Sequence, residues 1–267
     1  MTEQVTKNMP ILKRVGSFFT PNAHVGAHTL RVYLAVTIIS LIALWSIGPG
    51  VFPTPIAVWK QLVEMITRDG LIGHLLMSLQ LSIEAIVLSS IIALSLAYLS
   101  TSAPMRGLID ILSAFRFLSL VGTGIFFMPI VGAGHAMKLS MLVFSMTTFI
   151  LSTMKAEVQQ VSDADLDYVR SLRCSPWRVV IEAQVMGTSG KAFDTIIDTA
   201  AMAWMTLTAV EGIVRTEGGI GALLLSENRH YNIAGIIAVQ LVFLTAGIVQ
   251  DSVLRMFKGV LLPHTKA

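Results

Sequence analysis

Residues 75–98 read LLMSLQLSIEAIVLSSIIALSLAY, and Glu84 is the only acidic or basic side chain among them. As a helix this stretch would be about 36 Å long, enough to cross a hydrocarbon core of about 30 Å. It must be helical if it crosses, because lipid offers no partner to unpaired backbone groups. Comparable apolar runs occupy 30–47, 108–131, 137–154, 193–214 and 233–254. The fold class read from this pattern is an all-α polytopic membrane protein with six transmembrane helices.

Composition supports that reading. Of 267 residues, 54% are hydrophobic and only 13% charged, against about 25% charged in ordinary soluble domains. Mean hydropathy is +0.73. Such a chain is neither disordered nor a nucleic-acid binder, and an ordinary soluble enzyme is excluded. A transmembrane β-barrel would show short alternating segments instead of continuous apolar runs. Cys174 stands alone, so no internal disulfide or cysteine metal cluster is available. No apolar core or cleavage site follows the basic residues of 1–28, so no cleaved signal peptide is read.

Lys and Arg set the expected orientation. With the N-terminus inside, thirteen fall on the cytoplasmic side and five outside, while Arg116 lies within the third run. Both termini are therefore expected in the cytoplasm. This divides the chain into a cytoplasmic segment 1–29, a single transmembrane domain 30–258 and a tail 259–267. Within the domain, Ile56, Trp59, Leu62, Val63 and Ile66 recur at helical spacing behind Pro55. They predict an amphipathic helix at about 55–68, lying on the outer surface.

The longest polar connection, about 155–191, is read as cytoplasmic and as more than a linker. Ser162 can cap a helix, with Asp163 and Asp165 near its positive end and Asp165 at the capping-box spacing. Leu166, Val169 and Leu172 give that helix an apolar stripe. Ser175 can cap a second helix with Pro176 at its first position, striped by Trp177, Val180 and Ile181. Two short helices joined by a sharp turn form a docking surface for a cytoplasmic partner. Asp163, Asp165, Asp167, Arg170, Arg173, Ser175 and Trp177 are its candidate residues.

The frame from Asp167-Tyr168-Val169 through Arg170-Ser171-Leu172, Arg173, Ser175 and Trp177 resembles the cytoplasmic motif of permease subunits of binding-protein-dependent ABC importers, of the nitrate/sulfonate/taurine/bicarbonate type. The match is degenerate. Tyr168 and Val169 stand for the family's small pair, Arg173 for its Gly, and Val185-Met186 for its Leu-Pro. Phe52-Pro53-Thr54-Pro55, the start of the second run at His74, Val131-Gly132-Ala133-Gly134, Trp204, Glu211 and Gly218-Gly219-Ile220-Gly221 extend the likeness over roughly 50–255.

The resemblance implies a type I ABC importer permease fold, with the cytoplasmic coupling-helix pair between the fourth and fifth spans. It also implies a second permease copy in a homodimer, two cytoplasmic ATPase subunits holding ATP and Mg, and an extracytoplasmic solute-binding protein. The expected location is a bacterial inner membrane, the expected mechanism alternating access, and the expected cargo a small anion or similar small solute. The chain itself would carry no cofactor. Gly187-Thr188-Ser189-Gly190-Lys191-Ala192 is not a phosphate-binding loop, since it lacks the first Gly and the Ser or Thr after Lys191. No metal-ligand spacing and no catalytic constellation are legible, so the chain reads as a transport subunit and not an enzyme.

Ionisable residues inside apolar runs are costly and default to functional candidates. Arg116 reads either as paired with Asp110 or as a cavity residue. Asp194 and Asp198 suggest a wet vestibule and weaken an anion reading. Trp204, Thr208 and Glu211 share one helical face. Arg116, Asp198, Trp204, Thr208 and Glu211 are the candidate pathway or gate residues. Two other function classes compete: a secondary transporter, which would need broken half-helices and repeats, and a membrane enzyme, which would need a reactive constellation.

Overall fold

The structure is a computed structural model and describes residues 27–47, 52–214 and 217–262. The chain forms two compact units, 1–59 and 60–267. Every regular element among the described residues is helical.

The first unit contains α1 (Ala27–Ile47) and the first turn of α2 (Pro55–Thr67). The apolar side chains of α1 are largely exposed, Leu34, Ile39 and Leu44 among them. Trp45 Nε1 donates to the Pro53 carbonyl at 3.1 Å. Thr54 caps α2, accepting from the Ala57 amide at 3.3 Å, with Pro55 at the first helical position. The helix expected at about 55–68 is thus present. Its apolar residues Ile56, Trp59, Val63 and Ile66 are exposed.

The second unit is built around α3 (Leu71–Leu99) and α6 (His135–Gln159), its most closely associated helix pair. Small residues explain the approach. Ser78, Ser82, Ala85, Ser89, Ala93 and Ala97 form a buried stripe along α3 at three- and four-residue spacing. In lipid, helices associate through such close packing because hydrophobic burial gains nothing over contact with acyl chains. Met154 of α6 packs in one cluster with Ala93 and Ala97, while Met141 fills space beside Gly124 of α5.

The apolar run 108–131 is not one straight span. α4 (Ala103–Ala114) passes through a tight turn at Phe115–Phe117, and α5 (Leu120–Val131) leaves at 115° to it. Leu118 and Ser119 between them are extended, with ψ of 135° and 125°. Hydropathy counts apolar residues but carries no direction, so the run alone could not show the bend.

Beyond α6, α7 (Asp163–Ser171) precedes α8 (Pro176–Ile213), a helix of 38 residues containing a wider π-type stretch at Val180–Met186. The expected second short helix is therefore not a separate element. It forms the first turns of the helix that becomes the apolar run 193–214. α9 (Ile220–Arg229) and α10 (Ile233–Leu261) follow. Among the described residues, α3, α6, α8 and α10 are long and apolar enough to cross a membrane, and the α4–α5 pair makes a fifth if counted as one broken span. In α1 the apolar stretch Leu30–Ser46 is shorter.

Candidate functional site

The predicted Ser162 cap and Pro176 helix start are both present, the second helix being the first turns of α8. Ser162 Oγ accepts from the Asp165 amide at 3.2 Å and donates to the Asp165 carboxylate at 2.7 Å. Pro176 opens α8 behind Ser175. Arg173 has φ of 56° and takes the left-handed position between the helices. Glycine adopts that conformation without strain, whereas a side chain costs about 1–2 kcal/mol. Asp163, Asp165, Asp167, Arg170, Arg173, Ser175 and Trp177 are all exposed. Asp167 is paired with Arg170 at 2.8 Å.

The predicted apolar stripes are only partly buried. Leu166, Val169 and Val180 are half-buried, but Leu172, Trp177 and Ile181 each expose half or more of their surface, as does Tyr168 beside them. Thr101, just past α3, donates to Gln184 at 2.9 Å, and Tyr98 shares a hydrogen bond with Thr188 at 3.2 Å. These polar anchors, which sequence reading missed, fix the π-type stretch against the end of α3.

Near the other end of α8 lies a buried knot. Glu211 is 1% exposed. Ser78 Oγ donates to its Oε1 at 2.6 Å, and the Gly221 amide donates to Oε2 at 2.7 Å. Ser78 Oγ also accepts from the Ile220 amide at 2.9 Å, and His74 Nδ1 accepts from the Gly219 amide at 3.0 Å. Lys138, itself buried, donates to the Gly218 carbonyl at 2.7 Å. The first-turn amides of α9, which have no partner inside their own helix, thus find acceptors on α3 and α8. Gly219, with φ of 116°, lies against the Glu211 carboxylate, and a Cβ there would overlap it; a Cβ on Gly221 would lie 2.8 Å from Thr208 Cα. Glu211, the glycines and the stretch from His74 all carried the family likeness, but nothing in the sequence joined them, and Lys138 carried no signal, because these residues lie on different helices.

The five pathway candidates are not gathered into one site. Arg116 sits in the break between α4 and α5, where it donates to Ser152 and lies 4.8 Å from the Phe117 ring. Its expected partner Asp110 is held instead by Lys155, which α6 brings to that position. Asp198 is exposed on α8, and the neighbouring Asp194 binds Lys258 at 2.6 Å. Glu84 pairs with His135 at 2.7 Å. Trp204 and Thr208 line a groove of about 680 Å³ against α10. Trp204 packs edge-on against Phe243, with ring centroids 5.6 Å apart and planes at 88°. So the shared face of Trp204, Thr208 and Glu211 divides: two residues border the groove, and the third is sealed under α9.

No protein-family model matches the sequence, and no curated protein matches it. Solved structures do. A chain of the MetNI methionine ABC transporter in an inward-facing conformation superposes with a TM-score of 0.56 at 13% identity, over 71% of this chain and 93% of that one. A chain of an amino acid ABC transporter solved with histidines gives a TM-score of 0.54 at 14% identity, over 74% of this chain and 97% of that one. At these identities the likeness is one of fold: the chain is folded as the membrane-spanning chains of ABC transporters are.

Proposed function

We propose that this chain is the permease subunit of an ATP-driven ABC importer. One observation carries the reading: α7 and the exposed first turns of α8 form a capped helix–turn–helix whose second helix continues without a break into the apolar segment. A partner that moves Trp177 moves α8 directly, about 50 Å along its length to Glu211 at about 1.5 Å per residue. A secondary transporter has no use for such a lever. The fold shared with ABC transporters supports the same conclusion.

On this reading two copies of the chain form the pathway, and two cytoplasmic ATPase subunits bind ATP and Mg and dock at α7. A solute-binding protein delivers the cargo, and the complex sits in a bacterial inner membrane with both termini inside. Six spans then require α1 and the bent α4–α5 pair each to cross once. The resemblance to nitrate, sulfonate, taurine and bicarbonate permeases implies an anionic cargo.

The test is purification of the chain with its ATPase and measurement of solute-stimulated ATP hydrolysis. Reversing both Asp167→Lys and Arg173→Glu breaks the Asp167–Arg170 pair and inverts the charge offered to the partner. Hydrolysis should collapse or the ATPase should dissociate, while the permease stays folded. Normal coupling in the double reversal would defeat the reading. Orientation is tested after Cys174→Ser: Ser226→Cys should react with an impermeant thiol reagent from outside, and Ser162→Cys should not.

A further inference from the structure

The groove between α8 and α10 has a chemistry that the assignment of Trp204 and Thr208 to a pathway does not capture. At about 680 Å³ it has the size of a small-molecule pocket, about 300–1,000 Å³. A second cavity of about 550 Å³ shares Thr208, Leu224 and Gln240 with it, so the cleft continues past Gln240. Three features define its character.

The first is charge. Neither lining contains Lys or Arg. The one ionisable group is Asp251, and its carboxylate already accepts from Arg255 Nε at 2.8 Å. An anion entering the groove meets no cation, and a cation meets no free carboxylate. Elsewhere on α8, Asp198 is exposed, while Asp194 is neutralised by Lys258.

The second is unspent hydrogen-bonding capacity. Gln240 is exposed on a spanning helix, and its amide has no partner among the described residues. Facing acyl chains, it would pay the cost of an unsatisfied amide. Thr208 Oγ1 donates to the Met205 carbonyl at 2.6 Å and keeps its lone pairs available. Trp204 Nε1 is buried without an acceptor.

The third is the apolar lining. Trp204 and Phe243 form an edge-on pair along the groove, and Met205 is 76% exposed beside them. Aromatic and thioether groups favour ring partners. Gly247 keeps space open beside the indole, since even a Cβ there would lie 3.7 Å from Trp204 Cδ1.

We propose that this groove binds an uncharged, ring-bearing solute with an amide- or hydroxyl-like edge directed at Gln240 and Thr208, and that it rejects oxyanions. The proposal deepens the permease reading and rests on it for the meaning of the site, though binding itself does not require the ATPase. It also replaces the anionic cargo implied by the sequence resemblance with a neutral one.

The test uses the full chain in lipid nanodiscs and ligand-observed NMR with three ring probes: benzamide, benzyltrimethylammonium and benzenesulfonate. Benzamide should bind, with the two ions weaker by about tenfold or more, because ions entering the groove find no free counter-charge. Gln240→Leu should weaken benzamide binding by about threefold to tenfold through loss of one hydrogen bond. Gly247→Leu should abolish binding by filling the space beside Trp204. If that variant does not fold, Gln240→Leu carries the test. Equal or tighter binding of the sulfonate or the ammonium would overturn the proposal, as would variants without effect. Binding in detergent that vanishes in nanodiscs would assign the groove to lipid tails and overturn it too. A chain that binds benzamide but recruits no ATPase would sink the permease reading alone. One that couples to an ATPase but binds no benzamide would sink only this proposal.

Discussion

The two ends of α8 handle their polar groups in opposite ways. Near its C-terminal end Glu211 is sealed from solvent, and both its oxygens are hydrogen-bonded to groups on other elements. Just before its N-terminal end Asp167 and Arg170 of α7 and Arg173 of the turn are exposed, Asp167 pairs with Arg170 of the same short helix, and exposed aromatic and aliphatic side chains lie nearby in the chain. A buried carboxylate survives only if its hydrogen bonds are complete, so the knot is a finished structure. The helix–turn–helix keeps an apolar surface in reserve, with the left-handed Arg173 adding strain that folding alone does not explain. One end of the helix is built to hold, and the other to be held.

The contrast can be tested by substitution, beginning at the knot. Glu211→Ala leaves the Ser78 hydroxyl and the Gly221 amide without their acceptor. At about 1–3 kcal/mol for each unsatisfied buried group, the purified chain should lose several kcal/mol of stability. Thermal unfolding in detergent measures this, Glu211→Gln should cost less, and an unchanged midpoint in the Ala variant would show that the knot bears no load.

Gly219→Ala should cost about 1–3 kcal/mol through its backbone conformation alone, with overlap on the carboxylate adding to that. The overlap part should disappear when the same change is made in the Glu211→Ala background, because neighbouring groups couple non-additively. Full additivity of the two changes would mean that they do not touch.

At the opposite end Trp177→Ala should leave stability within about 0.5 kcal/mol, as for other exposed sites, yet abolish solute-stimulated ATP hydrolysis in the assembled complex. A large fall in the melting temperature of the isolated chain would erase the contrast between the two ends. A gain in stability instead of a loss belongs to Arg173→Gly. Relief of the left-handed side chain should stabilise the isolated chain by about 1 kcal/mol, while affinity for the ATPase falls. Tighter ATPase binding in that variant would show that Arg173 is a tolerated imperfection and not a contact.

Local signals were legible wherever one helix could express them alone. The Ser162 cap and the Pro176 helix start each depend on a few consecutive residues, and the structure has both, although the Ser175 side chain accepts no capping bond. The apolar runs were legible for the same reason, since the length of helix needed to cross lipid does not depend on neighbours. Direction was not. The 115° break at Phe115–Phe117 and Ser119 lies inside an unbroken apolar run, and the continuity of Pro176–Ile213 hides behind a polar segment that looks like a loop.

For the candidate sites the division is sharper. The sequence by itself determined that Glu211, Arg116 and Asp198 lie in apolar segments and therefore need partners, because lipid cannot supply them. It could not name those partners. Lys155 rather than Arg116 meets Asp110, Ser78 and the Gly221 amide meet Glu211, and Phe243 and Gln240 join Trp204 and Thr208 only when α10 packs beside α8. Which side chains meet depends on helix rotation and crossing, and these are set by the small-residue stripe of α3 and the methionines of α6 acting together. That packing is a property of pairs of helices, so only the tertiary structure decided it.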